Sequence, residues 1–298
     1  PATFQRLMQT CMGDLHLAIC LLFLDDIIVY SSTWEEHLAR LEAVFQRLEQ
    51  YGLKLKPSKC SFGKKDVRYL GHIVSEHGIQ TDPEKVSVVE NWPAPTCTKS
   101  LQRYLGFIGF YRRYIQGFSK IARPLNDLLK GSNGNKKKRK YTDFVWGHEQ
   151  QTAFEELKKK LVSAPVLGYA DYTLPFELHV DASTSGLGSV LYQRQNGTMR
   201  VIAYASRGLS NSERNYPAHK LEFLALKWAL VEKFHDYLYG QSFTVFTDNN
   251  PLTYVLSSAK LDATGHRWLS QIASFNFSIH YKTGKTNVDA DALSRLPE

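Results

Sequence analysis

With 298 residues, 43% hydrophobic and 22% charged, the chain has the composition of globular protein and enough length for about two domains. Its apolar runs are too short and too interrupted to span a bilayer, and its four cysteines (Cys11, Cys20, Cys60, Cys97) lack CxxC spacing. This leaves no membrane helix and no zinc or disulfide framework, and points to reduced thiols in an intracellular compartment, cytoplasmic or nuclear. The net charge of +8 is uneven: residues 1–131 carry 17 Lys/Arg against 13 Asp/Glu, residues 132–143 carry 5 against 1, and residues 144–298 carry 15 of each. A polyanion would be drawn to the first half and the joint.

The chain opens on Pro1 rather than Met and shows no signal peptide, as expected of a piece of a longer protein. Residues 17–31 have the pattern of a β-hairpin. Ile19, Leu21 and Phe23 lead into Asp25 and Asp26, and Ile27, Val29 and Tyr30 lead away. Two carboxylates beside buried strands are costly unless something pairs with them, and a metal ion is the usual remedy. Leu38, Leu41, Phe45 and Leu48 then recur at helical spacing, predicting an amphipathic helix over 33–51 that ends near Gly52. RYLGHIVSEHGI (68–79) reads as a second hairpin with its turn near Ser75–Gly78.

Asp82 followed by Pro83 is an N-cap with a first-turn proline, so a helix starts there and stops at Pro93 and Pro95. Thr98 opens another helix, with Leu101, Leu105, Ile108 and Tyr111 on one stripe, and a third piece carries Ile121, Leu125 and Leu128. GSNGNKKKRKYTD (131–143) is the clearest boundary, because small polar residues and five consecutive cations cannot build a core. A solvated linker is the leading reading for KKKRK, with a phosphate patch or nuclear-import signal as alternatives. Beyond it, a helix over 149–162, strands over 174–183, 187–194 and 199–205, a helix over 217–238, and strands over 242–248 and 275–282 predict an α/β domain.

Four segments of this second half each carry an acid at an element end or face. Asp181 ends a strand in which Phe176, Leu178 and Val180 share one face and Glu177, His179 and Asp181 the other. Glu222 lines up with Ala225 and Ala229, small neighbours that let its helix face approach a sheet closely. Asp248 closes the strand SFTVFTD, and Asp289 and Asp291 fall in the first turn of a helix start in NVDADALSR. Each has a plain structural explanation, such as a turn or a helix N-terminus. The ordered set strand–acid, helix–acid, strand–acid, helix–acid argues for a shared site.

VDAS, LEFLALKWAL, FTVFTDNNPL and NVDADALSR resemble the four acid-bearing motifs of a ribonuclease H domain, and specifically the one at the C-terminal end of gypsy-class LTR-retrotransposon reverse transcriptases. The first half is similar to the same family in the same order. PATFQRLM resembles the end of the template grip, FLDDIIVYS the palm catalytic hairpin, RYLGHIVSEHGI the primer grip, and LQRYLGFIGFYRRYI with ARPL the thumb. The resemblance implies an α/β chain: a partial palm (1–80) and helical thumb (81–130), a basic linker (131–143), and a ribonuclease H-like mixed-sheet domain (144–298).

It further implies Asp181, Glu222, Asp248 and Asp291 as ribonuclease H carboxylates holding two Mg²⁺ ions, with Mn²⁺ as an alternative. Asp25 and Asp26 become two of the three polymerase metal ligands, the third belonging to a palm strand upstream of this chain. Leu70, Gly71, His72, Arg112 and Arg113 are the implied nucleic-acid contacts. The expected partners are RNA–DNA hybrid and template–primer, with a homodimer left open and no membrane. Where many relatives carry histidine after the third acid, this chain has Asn249.

The expected activity is hydrolysis of RNA in RNA–DNA hybrids, with a polymerase site that needs upstream residues. The alternative is a host-retained relic that binds nucleic acid without cutting it, through Tyr104, Phe107, Arg112, Arg113 and Tyr114. A retroviral-type integrase shares the ribonuclease H architecture, but no His/Cys zinc module is present.

Overall fold

Helix α1 (Ala2–Met12) buries Met8, Cys11 and Met12, and the apolar runs around Asp25–Asp26 fold back as the antiparallel pair β1 (Cys20–Phe23) and β2 (Asp26–Val29). This computed structural model describes residues 2–130, 144–254 and 261–282 and divides into two compact units, Pro1–Tyr69 and Leu70–Glu298. In the first unit, α2 (Trp34–Gln50) starts at the Thr33 hydroxyl, which accepts from Glu36 N at 3.2 Å, a cap worth about 1 kcal/mol. Only part of its apolar stripe is covered: Val44 and Leu48 join Met8, Cys11, Met12, Cys20 and Leu22 in a small core, while Leu38 and Phe45 stay exposed. Strand β3 (Asp66–Tyr69) ends this unit.

The second unit begins with the antiparallel hairpin β4 (His72–Ser75) and β5 (Gly78–Thr81). Asp82 then caps α3 (Pro83–Glu90), accepting from Glu84 N at 3.0 Å. Helices α4 (Thr98–Phe110), α5 (Phe118–Ile121), α6 (Arg123–Lys130) and α7 (His148–Val162) follow. Val89, Leu101, Tyr104, Ile108 and Leu125 share one core with Phe154, Leu157 and Leu161 of α7, so the helices on either side of residues 131–143 pack together. The KKKRK run lies outside the described residues.

A five-stranded mixed sheet follows, in the order β10-β9-β6-β7-β8. It consists of β6 (Phe176–Ala182), β7 (Gly186–Gln195), β8 (Thr198–Gly208), β9 (Ser242–Thr247) and β10 (Asn276–Tyr281). The first three run antiparallel, whereas β9 is parallel to both β6 and β10. Phe176, Leu178 and Val180 point into a core shared with α8 (Ala218–Trp228) and α10 (Ala263–Ile272).

The opposite strand face, polar by sequence, is covered as well: His179 and Asp181 are buried, and Val190 and Tyr192 form a second small cluster there. The helix expected over 217–238 is interrupted. Phe234 N reaches back five residues to Ala229 O at 2.8 Å, and a π turn over Ala229–Lys233 separates α8 from α9 (His235–Leu238). The extra residue rotates Phe234 and Leu238 into the core. Helix α10 has no counterpart in the sequence reading.

Strand β8 forms one edge of the sheet, and edge carbonyls need partners. Arg112 Nη2 donates to Ser206 O at 2.7 Å, Ser119 Oγ donates to the same oxygen at 2.7 Å, and Gly168 N donates to Val201 O at 2.8 Å. A bulge opposite Leu191–Tyr192 leaves Ile202 without a register partner, and Arg113 Nη2 donates to its carbonyl at 3.3 Å.

Candidate metal centre

Register brings two of the acids to the same end of the sheet. His179 on β6 pairs with Phe246 on β9, the strands are parallel, and Asp181 and Asp248 lie two residues further along each. Glu222 arrives from α8, whose Ala225 and Ala229 are fully buried and allow close approach to the sheet. Ala182 N, one residue past Asp181, donates to Glu222 Oε1 at 3.2 Å and fixes the helix carboxylate beside the strand end. One carboxylate oxygen from each of Asp181, Glu222 and Asp248 lies within 4.8 Å of the others. Asp181 is 1% and Glu222 5% exposed. Asp289 and Asp291 lie outside the described residues.

Three carboxylates so placed repel one another by on the order of 3 kcal/mol per ionised pair at an effective dielectric near 20. The arrangement is therefore one that a cation stabilises. An all-carboxylate oxygen donor set matches hard divalent ions such as Mg²⁺ or Mn²⁺ and not the softer metals that seek thiolate or imidazole. The side chains around it are built for rigidity. His179 packs against the rings of Tyr192 and Phe246 at 4.9 and 5.0 Å, and its Nε2 lies 3.8 Å from Glu177 Oε2. Asn249 serves as a cap for the 3-10 turn that follows, its Oδ1 accepting from Leu252 N at 3.2 Å.

A further feature of this region has a visible but overlooked sequence signal. Ser210 and Glu213 satisfy the S-x-x-E capping-box pattern, and Glu213 Oε2 accepts from Ser210 N at 2.7 Å. Arg207, at the end of β8, makes a bidentate pair with Glu213 at 2.8 and 3.0 Å. That pair braces the loop leading into α8, and it holds the Glu213 carboxyl down at a pKa of about 2.

Asp25 and Asp26 are placed differently. They sit at the tip of the β1–β2 hairpin, where Phe23 pairs with Asp26 across a turn containing Leu24 and Asp25, and both are exposed. The burial cost expected from the flanking apolar runs does not arise, because the runs are in the strands and the acids are in the turn. Among the described residues no third acid gathers with them.

The expected nucleic-acid contacts are tied to protein partners. Tyr111 Oη donates to Gly71 O at 2.9 Å, and His72 Nδ1 lies 3.1 Å from Tyr114 Oη. The His72 ring stacks on Phe110 at 5.1 Å. Burial, with the Arg113 charge adding to it, pushes the His72 pKa down. Leu70, just ahead of them, stays exposed. Arg112 and Arg113 spend guanidinium donors on β8 carbonyls, as described above, and Arg112 also lies over the Phe118 ring at 5.2 Å. Tyr104 and Tyr114 are core residues, and burial raises the Tyr114 pKa to about 12.

A mixed five-stranded sheet with buried acids at one end, reached through a helical segment from a palm-type hairpin, defines a reverse-transcriptase chain with a ribonuclease H-like domain. The comparisons agree. Residues 1–74 match the family model of reverse transcriptase (RNA-dependent DNA polymerase), and residues 146–245 that of the RNase H-like domain found in reverse transcriptase.

The chain is 38% identical over 296 residues to the retrovirus-related Pol polyprotein from transposon gypsy of Drosophila melanogaster, covering 98% of this chain and 28% of that protein. It is 37% identical over 300 residues to the corresponding polyprotein from transposon opus of the same fly, covering 100% and 30%. It thus spans less than a third of the length of these relatives. Among solved structures, the foamy viral protease-reverse transcriptase in complex with RNA/DNA hybrid superposes with a TM-score of 0.79 at 26% identity, covering 100% of this chain and 39% of that one. The dRH form of that protein in complex with double-stranded DNA gives 0.81 at 25% identity, covering 100% and 50%. The chain belongs to the reverse transcriptase/ribonuclease H family of gypsy-class LTR retrotransposons.

Proposed function

We propose that the second unit hydrolyses the RNA strand of RNA–DNA hybrids in a Mg²⁺-dependent reaction. The observation that carries this reading is the convergence of Asp181, Glu222 and Asp248 within 4.8 Å at one end of the sheet. Asp181, on the central strand β6, with Glu222 from α8 and Asp248 from the end of β9, would hold the divalent cations through their carboxylate oxygens. Asp291 is the proposed fourth carboxylate. When bound, a pair of divalent ions supplies an activated water and stabilises the departing oxygen of an in-line displacement. The protein's own part is positioning. The Ala182–Glu222 hydrogen bond ties helix to strand, and the buried His179 and Tyr192 rings with the half-buried Phe246 ring pack the β6 and β9 ends together.

The hairpin acids Asp25 and Asp26 are proposed as two ligands of the polymerase site of the longer parent protein, with the third supplied from upstream. A binding-only relic is disfavoured, since buried carboxylates held together serve nothing in a protein that only grips nucleic acid. The test is cleavage of a labelled RNA–DNA hybrid by the chain and by its Asp181→Asn and Asp248→Asn variants. Loss of cleavage in both variants is expected; undiminished cleavage in both overturns the assignment.

A further inference from the structure

Between α2 and β3 the chain runs through GLKLKPSKCSFGKK (52–65), which contains five lysines and no acid. Lys54, Lys56, Lys59, Lys64 and Lys65 are all exposed, and among the described residues none of them forms an ion pair. A run of lysines alone is most often a solvated surface. Two further observations distinguish this one. Its course is fixed: the Pro57–Lys59 stretch is a 3-10 turn closed by Lys59 N to Lys56 O at 2.9 Å and Cys60 N to Pro57 O at 3.0 Å.

Two large rings, each more than half exposed, also stand beside this stretch. Phe62 is 52% exposed and packs at right angles to the Phe45 ring at 5.9 Å, so the ring is anchored on one side while half of it stays open to solvent. Trp34 is 57% exposed and lies against the backbone of Gly63. Gly63 has φ +60, and a Cβ there would come within 3.0 Å of the indole, so the strap can lie this close to Trp34 only with glycine. Leu55, 45% exposed, adds apolar surface between the lysines. The acids that adjoin the strap are Asp66, directly after Lys65, and Glu49 of α2, beside Lys54 and Leu55, so the five lysines leave a net positive surface.

Point charges without a reading geometry suit a phosphate backbone, and exposed rings anchored in the fold suit unpaired bases, which offer π faces that a duplex keeps stacked. A protein acid surface would use the lysines and leave the rings idle. We infer that the 52–65 strap, with Trp34 and Phe62, is a binding surface for single-stranded nucleic acid, phosphates on the lysines and bases on the rings. The inference rests on the reading that this chain handles nucleic acid, but it uses residues of the first unit only.

The test measures binding of a fluorescent single-stranded twelve-nucleotide oligomer to the full chain in EDTA across a salt series. The Lys56→Gln/Lys59→Gln/Lys64→Gln variant should bind at least tenfold more weakly, with a log–log salt slope shallower by about 2, since each phosphate contact on a single strand contributes about 0.7. Phe62→Ala should weaken binding fivefold or more with the slope unchanged, and Phe62→Leu, which keeps apolar contact with Phe45, should weaken it similarly. Circular dichroism melts should match the parent in all three.

Wild-type affinity and slope in the lysine variant overturn the inference. So does full affinity in both Phe62 variants, or equal competition by polyglutamate of matched charge, either of which reduces the strap to a general anion surface. Hybrid cleavage, measured separately with Mg²⁺, should survive in every strap variant. Its absence from the unmodified chain would count against the proposed function and leave the binding result standing.

Discussion

Glu222 Oε1 accepts a hydrogen bond from Ala182 N at 3.2 Å, so the carboxylate on α8 is fastened to the strand that carries Asp181. The same carboxylate therefore has a structural task and an electrostatic one, and substitution can separate them. Glu222→Gln keeps an oxygen acceptor for Ala182 and removes the charge. The variant should fold with unchanged or higher thermal stability in EDTA, because one member of a mutually repelling triad is gone. Hybrid cleavage should fall at least 100-fold. Mg²⁺ should stabilise the parent by about 2.7 kcal/mol at one hundred times its dissociation constant and the variant by much less. Equal Mg²⁺-dependent shifts in melting temperature for both proteins would show that Glu222 is not a ligand.

The guanidinium of Arg112 separates two roles in a similar way. Its contact with Ser206 O at 2.7 Å is a charge-assisted bond to an edge-strand carbonyl, of a kind worth about 1.5–3 kcal/mol. Arg112→Ala should lower unfolding free energy in urea by that amount, and Ser119→Ala, which removes the second donor to the same oxygen, by about 1 kcal/mol. The double variant should cost more than the sum, since in each single variant the remaining donor still satisfies the shared Ser206 oxygen and only the double variant removes both. Unchanged stability in Arg112→Ala combined with weakened hybrid binding would return this residue to the nucleic-acid surface implied by its motif.

These arginines mark the limit of what the sequence made legible. Asp181, Glu222 and Asp248 could be singled out because each ends an element or sits beside small residues, and local pattern records such placements. The hairpin strands around Asp25–Asp26, the Asp82–Pro83 cap and the mixed-sheet domain were readable for the same reason. YRRYI contains nothing to say that its two guanidiniums face carbonyls of a strand some ninety residues away, because the need lies in the unpaired edge of β8. Burial of His179 was hidden likewise: alternation along β6 distinguishes its two faces, but not whether the polar one is roofed. ATGHRWLSQI, the α10 segment, has few apolar residues and a glycine, and becomes helical because Ile272 and Trp268 pack against the α8 side of the sheet.

Gly78 should tolerate no side chain. It has φ +129, and a Cβ would fall 2.1 Å from Leu167 O, the oxygen that accepts from Ile79 N at 2.9 Å. Backbone cannot yield there without breaking the bridge that docks the β4–β5 hairpin onto the segment entering the sheet. Gly78→Ala should cost about 3 kcal/mol or more in chemical denaturation. Gly106, exposed within α4 with open space around it, provides the contrast, since Gly106→Ala should stabilise by about 1 kcal/mol. A mild effect at Gly78 would mean that the hairpin tip is not held against Leu167 in solution.

The Arg207–Glu213 pair should be visible in the acid limb of the stability curve. Arg207's paired donors are the main reason that the Glu213 carboxyl sits at about 2 in place of its ordinary 4.5; burial opposes them, and the Ser210 bonds add smaller lowering contributions. A folded pKa below the unfolded one means that the folded state binds its proton later. The stabilisation is therefore complete above about pH 4.5 and is lost as pH falls towards 2. A drop of this size corresponds to about 3 kcal/mol, which solvent screening of a partly accessible pair reduces to about 1–2 kcal/mol. Glu213→Gln should be less stable than the parent by that amount at pH 6, and the difference should shrink steadily below pH 4.5. A gap that stays constant down to pH 2.5 would assign the effect to side-chain geometry lost on substitution and not to the charge.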